Sequence, residues 1–338
     1  MAFGTWARRA FALMASGAVA GWASMAGAGS ASDLGPFGPE SPRMREQLWM
    51  VPGGDPAHNL RATVFRPDDV FQPDNVAGER IPPRPLVVIN HGTSSVTRLS
   101  VAMPVYFWLS KWFVDRGYVV VLPQRRGHGA TGGELEESVG TCAKPNHVRS
   151  GEIAADDIAA VVDFMTRQPG IAADGAIVVG VSTGGWASLA LAARNPAQVR
   201  AVVNIAGGRG GHAGGQPNAI CGEQRLVEAA AVFGRTARVP TLWLYSENDS
   251  YFGPRLAAHM AKAWSESGGE ADLAVLPAYG VDGHDIANDR AGWDVWGAVA
   301  DRFLAKASPA QVAVTTERAD TAQAEMGAAA VLPASDGR

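Results

Sequence analysis

Ser182 is the side chain best placed to attack a carbonyl. It stands in Gly180-Val181-Ser182-Thr183-Gly184, after the apolar run Ala176–Val181 and before a helical pattern opening at Trp186. G-x-S-x-G between a strand and a helix spells a sharp turn. The serine takes strained backbone angles, and the glycines remove Cβ atoms that the closing backbone would strike. A serine hydroxyl is a weak nucleophile at its own pKa. It needs a histidine base, held in one tautomer by an acid.

Only His212, His259 and His284 follow Ser182. His212 lies in a Gly-rich stretch and His259 in mid-helix, where a solvated or packed histidine is the ordinary role. His284 sits in Tyr279-Gly280-Val281-Asp282-Gly283-His284-Asp285, a loop between a strand and the last helix, and is the expected base. Asp249 follows the strand Thr241–Tyr245 and is the expected acid, with Glu247 as the competing carboxylate. Asp282 and Asp285 flank the histidine but would need a backward bend to reach its Nδ1. The oxyanion formed on attack needs backbone N–H donors. Thr183, next after the nucleophile, supplies one. Thr93 supplies the other, in His91-Gly92-Thr93-Ser94 after the strand Leu86–Asn90, with Gly92 or Ser94 as neighbouring choices. His91 is read as a brace for that loop.

The elements that position these residues alternate. Apolar, strand-length runs occur at Leu86–Asn90, Tyr118–Leu122, Ala176–Val181, Ala201–Ile205, Thr241–Tyr245 and Asp272–Leu276, without polar alternation, as in parallel strands covered on both faces. Helical patterns lie between them at Val101–Arg116, Gly151–Arg167, Trp186–Arg194, Pro254–Ser267 and Arg290–Lys306. Two weaker runs, Gln47–Val51 and Arg61–Phe65, suit an antiparallel edge. This is a doubly wound, mostly parallel α/β sheet. The interval 207–239 opens with Gly207-Gly208-Arg209-Gly210-Gly211 and is long enough to be a lid.

Nucleophile, acid and histidine in that order, with His91-Gly92 ahead of them, resemble the α/β-hydrolase superfamily. The Arg-Gly-rich segment Pro123-Gln124-Arg125-Arg126-Gly127-His128-Gly129 is similar to its dienelactone hydrolase-like and prolyl-oligopeptidase-like branch. The likeness spans roughly Arg45 to Lys306. Two departures limit it: dienelactone hydrolases proper carry a cysteine nucleophile, and oligopeptidases carry a propeller domain for which this chain has no repeat. The resemblance and the ordered triad imply a serine hydrolase acting on small-molecule or polymeric carboxylic esters through an acyl-enzyme, with no metal or organic cofactor. A peptidase or amidase, or a non-catalytic binding protein on the same fold, are the alternatives. Tyr251 and Phe252, and less so Tyr106, Trp108 and Trp112, are candidates for the acyl pocket. Trp186 and Trp243 read as core. Arg125, Arg126 and His128 either bind an anionic substrate or brace their loop.

Composition agrees with a globular enzyme: of 338 residues, 47% are hydrophobic and 18% charged, too apolar for a disordered chain. A net charge of −4 without a Lys/Arg block provides no footprint for nucleic acid. Residues 1–28 read as an export signal: Arg8-Arg9, a weakly apolar run, then Ala26-Gly27-Ala28 as a cleavage site. Thr5-Trp6-Ala7-Arg8-Arg9-Ala10-Phe11 also resembles a twin-arginine signal, the alternative being an ordinary Sec signal. The mature protein is then periplasmic or secreted with no stable membrane anchor. Residues 29–306 form the catalytic domain, and 307–338 a disordered tail without an aromatic residue. Cys142 and Cys221 both lie in loops leaving the carboxyl edge of the sheet. Export favours a disulfide between them over two separate thiols.

Overall fold

The computed structural model describes residues 34–68, 82–93, 98–101 and 106–307; the expected export signal and all but the first residue of the expected tail lie outside these. In chain order the elements are β1 (Gly35–Phe37), β2 (Gln47–Pro52), β3 (Asn59–Phe65), β4 (Arg84–Asn90), α1 (Phe107–Val114), β5 (Val119–Pro123), a short hairpin of β6 (Gly140–Thr141) and β7 (Lys144–Pro145), α2 (His147–Met165), β8 (Ile171–Val181), α3 (Thr183–Ala192), β9 (Val199–Ile205), α4 (Glu223–Gly234), β10 (Thr241–Ser246), α5 (Pro254–Glu266), β11 (Ala271–Leu276) and α6 (Trp293–Ala307). Nine strands form one sheet in the order β1-β2-β3-β5-β4-β8-β9-β10-β11. The three N-terminal strands are antiparallel, and β4, β5, β8, β9, β10 and β11 run parallel.

The apolar runs dictate the layers. β4 and β5, and β8 from Gly175 onward, are almost wholly buried, so both faces must be covered. Helices α2 to α5 pack one face around Ile158, Trp186, Phe233 and Trp264. Helices α1 and α6 pack the other around Trp112, Trp296 and Phe303. β11 departs from the expected two-sided burial because it is the sheet edge, and Val275 is 47% exposed there. Helix α2 starts four residues earlier than its apolar spacing implies: the Asn146 side chain accepts the Arg149 N–H at 3.0 Å and caps it.

The interval expected to be a lid divides in two. Its second half contains α4, which buries Leu226, Ala229, Ala230 and Phe233 in the core, as a crossover between parallel strands must. The stretch from Gly207 to Gly222 precedes the helix, and its Ile220 packs against the same core. Cys142 and Cys221 are disulfide-bonded, with Cα atoms 4.6 Å apart, and join this stretch to the β6–β7 hairpin.

From β4 the chain steps to β5 on one side, then crosses to β8 on the other. Loops leaving the carboxyl ends of β4 and β8 therefore diverge and leave a crevice between them. Ser182 and the His91-Gly92-Thr93 loop both open into it.

Candidate active site

Ser182 has φ 56° and ψ −122°, a conformation that L residues rarely adopt. The turn is fixed by close backbone approach. A Cβ on Gly180 would lie 2.2 Å from the Gly184 carbonyl oxygen, and one on Gly184 would lie 2.2 Å from that of Asn90. The strain is held by the Ser182 N–H, donated to the Ile205 carbonyl at 3.0 Å, and by its carbonyl, which accepts from Trp186 at 3.1 Å and Gly208 at 3.2 Å. Oγ stands at the start of α3, where helix N–H groups favour negative charge.

His284 Nε2 lies 3.1 Å from Ser182 Oγ, and its Nδ1 lies 3.1 and 3.2 Å from the two carboxylate oxygens of Asp249. Nδ1–H therefore points to Asp249, and Nε2 is free to accept the serine proton. Asp249 is 2% exposed, and its Oδ1 also accepts the N–H groups of Tyr251 and Phe252 at 2.8 and 2.9 Å. Those bonds fix the carboxylate toward the imidazole. Glu247 is exposed, and the carboxylate paired with His284 is that of Asp249. Asp282 serves the loop instead: its Oδ1 accepts the N–H groups of His284 (2.9 Å) and Ser250 (3.0 Å), and its Oδ2 accepts the Ser250 hydroxyl. Burial pushes the Asp282 carboxyl up, but these hydrogen bonds outweigh it and hold it below the usual carboxylate range. Asp285 is exposed at the far end of the turn.

Across the crevice, Gly92 abuts Ser182; a Cβ there would lie 3.0 Å from Ser182 Cβ and 3.6 Å from Oγ. The Gly92 N–H is donated to the Tyr106 hydroxyl at 3.3 Å, so it is not the free donor. The Thr93 N–H meets no acceptor among the described residues, and the Thr183 N–H, first in α3, has no helical partner. These are the two amides expected to face an oxyanion. Ser94 lies outside the described residues.

The Thr93 loop rests on a buried charged cluster. His91 donates Nδ1–H to the Gly92 carbonyl (2.8 Å) and accepts the Arg125 N–H at Nε2 (3.2 Å), so both ring nitrogens are used for bracing. Burial, with the Arg125 and His128 charges adding to it, drives its pKa well below the ordinary histidine range. Arg125, fully buried, pairs with Glu137 at 2.9 Å and donates to the His91 carbonyl at 2.8 Å. Arg209 reaches the same Glu137 at 3.2 Å. Thr93 donates its hydroxyl to Glu137 Oε1 at 3.1 Å, and its Oγ1 lies 2.8 Å from His128 Nε2. Burial pushes the Glu137 carboxyl up, and the Arg125 and Arg209 guanidiniums outweigh it and keep it ionised below the usual carboxylate range. Arg126 pairs with Asp157 and Glu136, both at 2.8 Å. Among the two roles weighed for Arg125, Arg126 and His128, the contacts are those of braces.

Of the aromatic candidates for an acyl pocket, Tyr251 alone borders His284 with part of its ring open, stacked 4.3 Å from it. Phe252 is 2% exposed and fills the space beneath Gly208, where a Cβ would lie 2.6 Å from its ring; it is packing, not pocket wall. Trp112 is likewise core, 4.9 Å from Trp296. Trp186 and Trp243 are fully buried, as expected. A cavity of about 300 Å³ lies at the Asp249 turn, lined by Glu247, Tyr251 and Arg255 among others and by neither Ser182 nor His284. Sequence reasoning gave no role to Glu137, Arg209 or Ser250 and set His212 aside as an ordinary loop histidine. None has a motif, and each matters through partners distant in the chain.

Residues 81–228 match the model of the family described as serine aminopeptidase, S33. Solved structures similar to this chain include a dipeptidyl peptidase 4 from Porphyromonas gingivalis (17% identity, TM-score 0.54, 78% of this chain and 35% of that one). A puromycin-hydrolyzing peptidase from Mycobacterium tuberculosis (18%, 0.52, 78% and 39%) and an esterase from Pyrococcus furiosus (14%, 0.52, 81% and 96%) are also similar. This is an α/β-hydrolase fold. The α/β-hydrolase domain here spans little more than a third of those peptidases and nearly the whole of the esterase. No curated protein matches the sequence.

Among the described residues no helix is long and apolar enough to cross a membrane, and no group of three or more His, Cys, Asp and Glu residues is placed to hold a metal ion.

Proposed function

We propose that this chain is an exported serine hydrolase that cleaves carboxylic esters through Ser182, His284 and Asp249. The observation that carries the reading is the unbroken line of hydrogen bonds from a strained Ser182 through His284 to a buried Asp249. The S33 match and the fold support the hydrolase class, and the disulfide is compatible with export.

In this reading His284 Nε2 takes the Ser182 proton as Oγ attacks the ester carbonyl. The Thr93 and Thr183 amides hold the oxyanion; one such donor is worth about 3 to 4 kcal/mol in the transition state. The imidazolium, stabilised by Asp249, protonates the departing alkoxide. The same nitrogen then activates water, which releases the acid from the acyl-enzyme.

The test is hydrolysis of a nitrophenyl ester series from acetate to long chain by the mature protein and by Ser182→Ala. Turnover that disappears in the variant supports the reading, and the chain-length profile sizes the acyl site. No ester turnover by folded wild-type protein overturns it. The S33 match favours a second reading, a peptidase, and aminoacyl nitroanilides run beside the esters distinguish the two. Labelling of wild type but not the variant by a fluorophosphonate separates either enzyme from a binding protein.

A further inference from the structure

His212 reads from sequence as an ordinary loop histidine, and the fold gives it a different setting. Its ring stacks on Tyr251 with centroids 3.6 Å apart and planes 5° from parallel. The opposite face of Tyr251 stacks on His284 at 4.3 Å and 27°. Tyr251 is thus sandwiched between the expected base and a histidine 72 residues before it in the chain.

A second line runs through hydrogen bonds. His212 Nε2 lies 2.8 Å from Ser250 Oγ. Ser250 donates its hydroxyl to Asp282, an acceptor only, so His212 must be the donor to Ser250. Asp282 in turn accepts the backbone N–H of His284. Both lines start at His212 and end at His284, one at its ring and one at its backbone.

The stretch that bears His212 is itself fastened at several points. His212 adopts a left-handed φ of 56°, which a β-carbon-bearing residue holds only when its surroundings insist. The Ala213 N–H is donated to Ala219, that of Cys221 to Gly210, and that of Asn218 to Ser250, at 2.8, 2.8 and 2.6 Å. The disulfide to Cys142 anchors the end of the stretch. His212 is therefore presented to Tyr251 from a built platform.

We propose that His212 is a positioning residue for His284. It clamps the Tyr251 ring against the imidazole and anchors, through Ser250 and Asp282, the backbone on which His284 stands. The inference rests on reading His284 as the base for Ser182. Its chemical consequence lies in the transition state. When His284 becomes an imidazolium, the Tyr251 face offers it the negative side of the ring quadrupole, and this is useful only if the ring is held there. A misplacement of the imidazole by a fraction of an ångström also lengthens the Ser182 hydrogen bond.

The experiment compares wild type with His212→Ala, His212→Phe, which keeps a ring over Tyr251, and His212→Gln, which keeps a donor for Ser250. Each is assayed for kcat, KM and the pH profile of kcat/KM on whichever nitrophenyl ester the wild type turns over. The expected result is a kcat about tenfold lower in H212A with KM within about twofold. The acidic limb, where His284 must lose its proton to act as base, should shift to lower pH as the imidazolium loses its aromatic face, and H212F and H212Q should each recover part of kcat. Ser250→Ala added to H212A should cost little more, because the two act on one line. Wild-type kcat and pH profile in H212A, or in both H212F and H212Q if H212A does not fold, would overturn the proposal. A loss confined to KM would also overturn it, since that is a substrate contact. Activity surviving in Ser182→Ala sinks the underlying reading instead, and does so whatever His212 does.

Discussion

Replacing Glu137 with glutamine should cost the fold about 3 to 5 kcal/mol. The carboxylate is 3% exposed and compensates two guanidiniums, Arg125 at 0% and Arg209 at 8% exposure. No other carboxylate among the described residues pairs with either. The amide keeps the size and one acceptor but removes the charge, stranding two buried cations; breaking one side of a buried ion pair has that order of cost. Against a usual stability of about 5 to 15 kcal/mol this is a large fraction. Equilibrium urea unfolding followed by tryptophan fluorescence, without reductant, measures it. With an m-value of about 3 kcal/mol/M the midpoint should fall by about 1 to 1.7 M. Adding Arg209→Met to E137Q removes one stranded charge, so the double variant should be less destabilised than the sum of the single changes. A loss below about 1 kcal/mol in E137Q, or strict additivity with R209M, would refute the account of the cluster as a charge-compensated brace.

His91, His128 and His147 are all at least 96% buried, and burial is the leading cause that lowers the pKa of each. Below about pH 6.5 the unfolded chain binds protons at these positions that the folded chain excludes, so stability must fall as pH drops, by up to about 4 kcal/mol per pH unit while all three contribute. Urea midpoints at pH 7.5 and 5.5 check this, and equal midpoints contradict it. Cys142→Ser with Cys221→Ser opens a loop of 79 residues' separation. The chain-entropy relation puts the loss at about 4.5 kcal/mol, and a urea midpoint for the double variant within 0.3 M of wild type would contradict it.

The strained turn at Ser182 was legible because it is local. Gly180, Ser182 and Gly184 lie within five residues, and the strand and helix they join announce themselves by apolar periodicity. The parallel strands were legible for the same reason, since a strand covered on both faces has no room for alternating polar residues. Order and loop position alone singled out Asp249 and His284; that they meet each other and Ser182 is a property of the sheet, which brings the ends of β8 and β10 and the loop after β11 to one edge.

What the sequence left open depends on partners far apart in the chain. Glu247 and Asp249 look alike as carboxylates in one turn. Only the folded turn buries Asp249 behind the Tyr251 and Phe252 amides and leaves Glu247 in solvent. Phe252 and Tyr251 are adjacent, yet the chain direction sends one ring beneath Gly208 and the other between two histidines. Glu137 and Arg209 carry no signal separately, because a buried ion pair 72 residues apart has no local pattern to leave. Sequence fixes chemistry wherever the needed groups lie within one turn of backbone; where they converge from separate strands, burial and distance decide the role, and these exist only once the sheet has assembled.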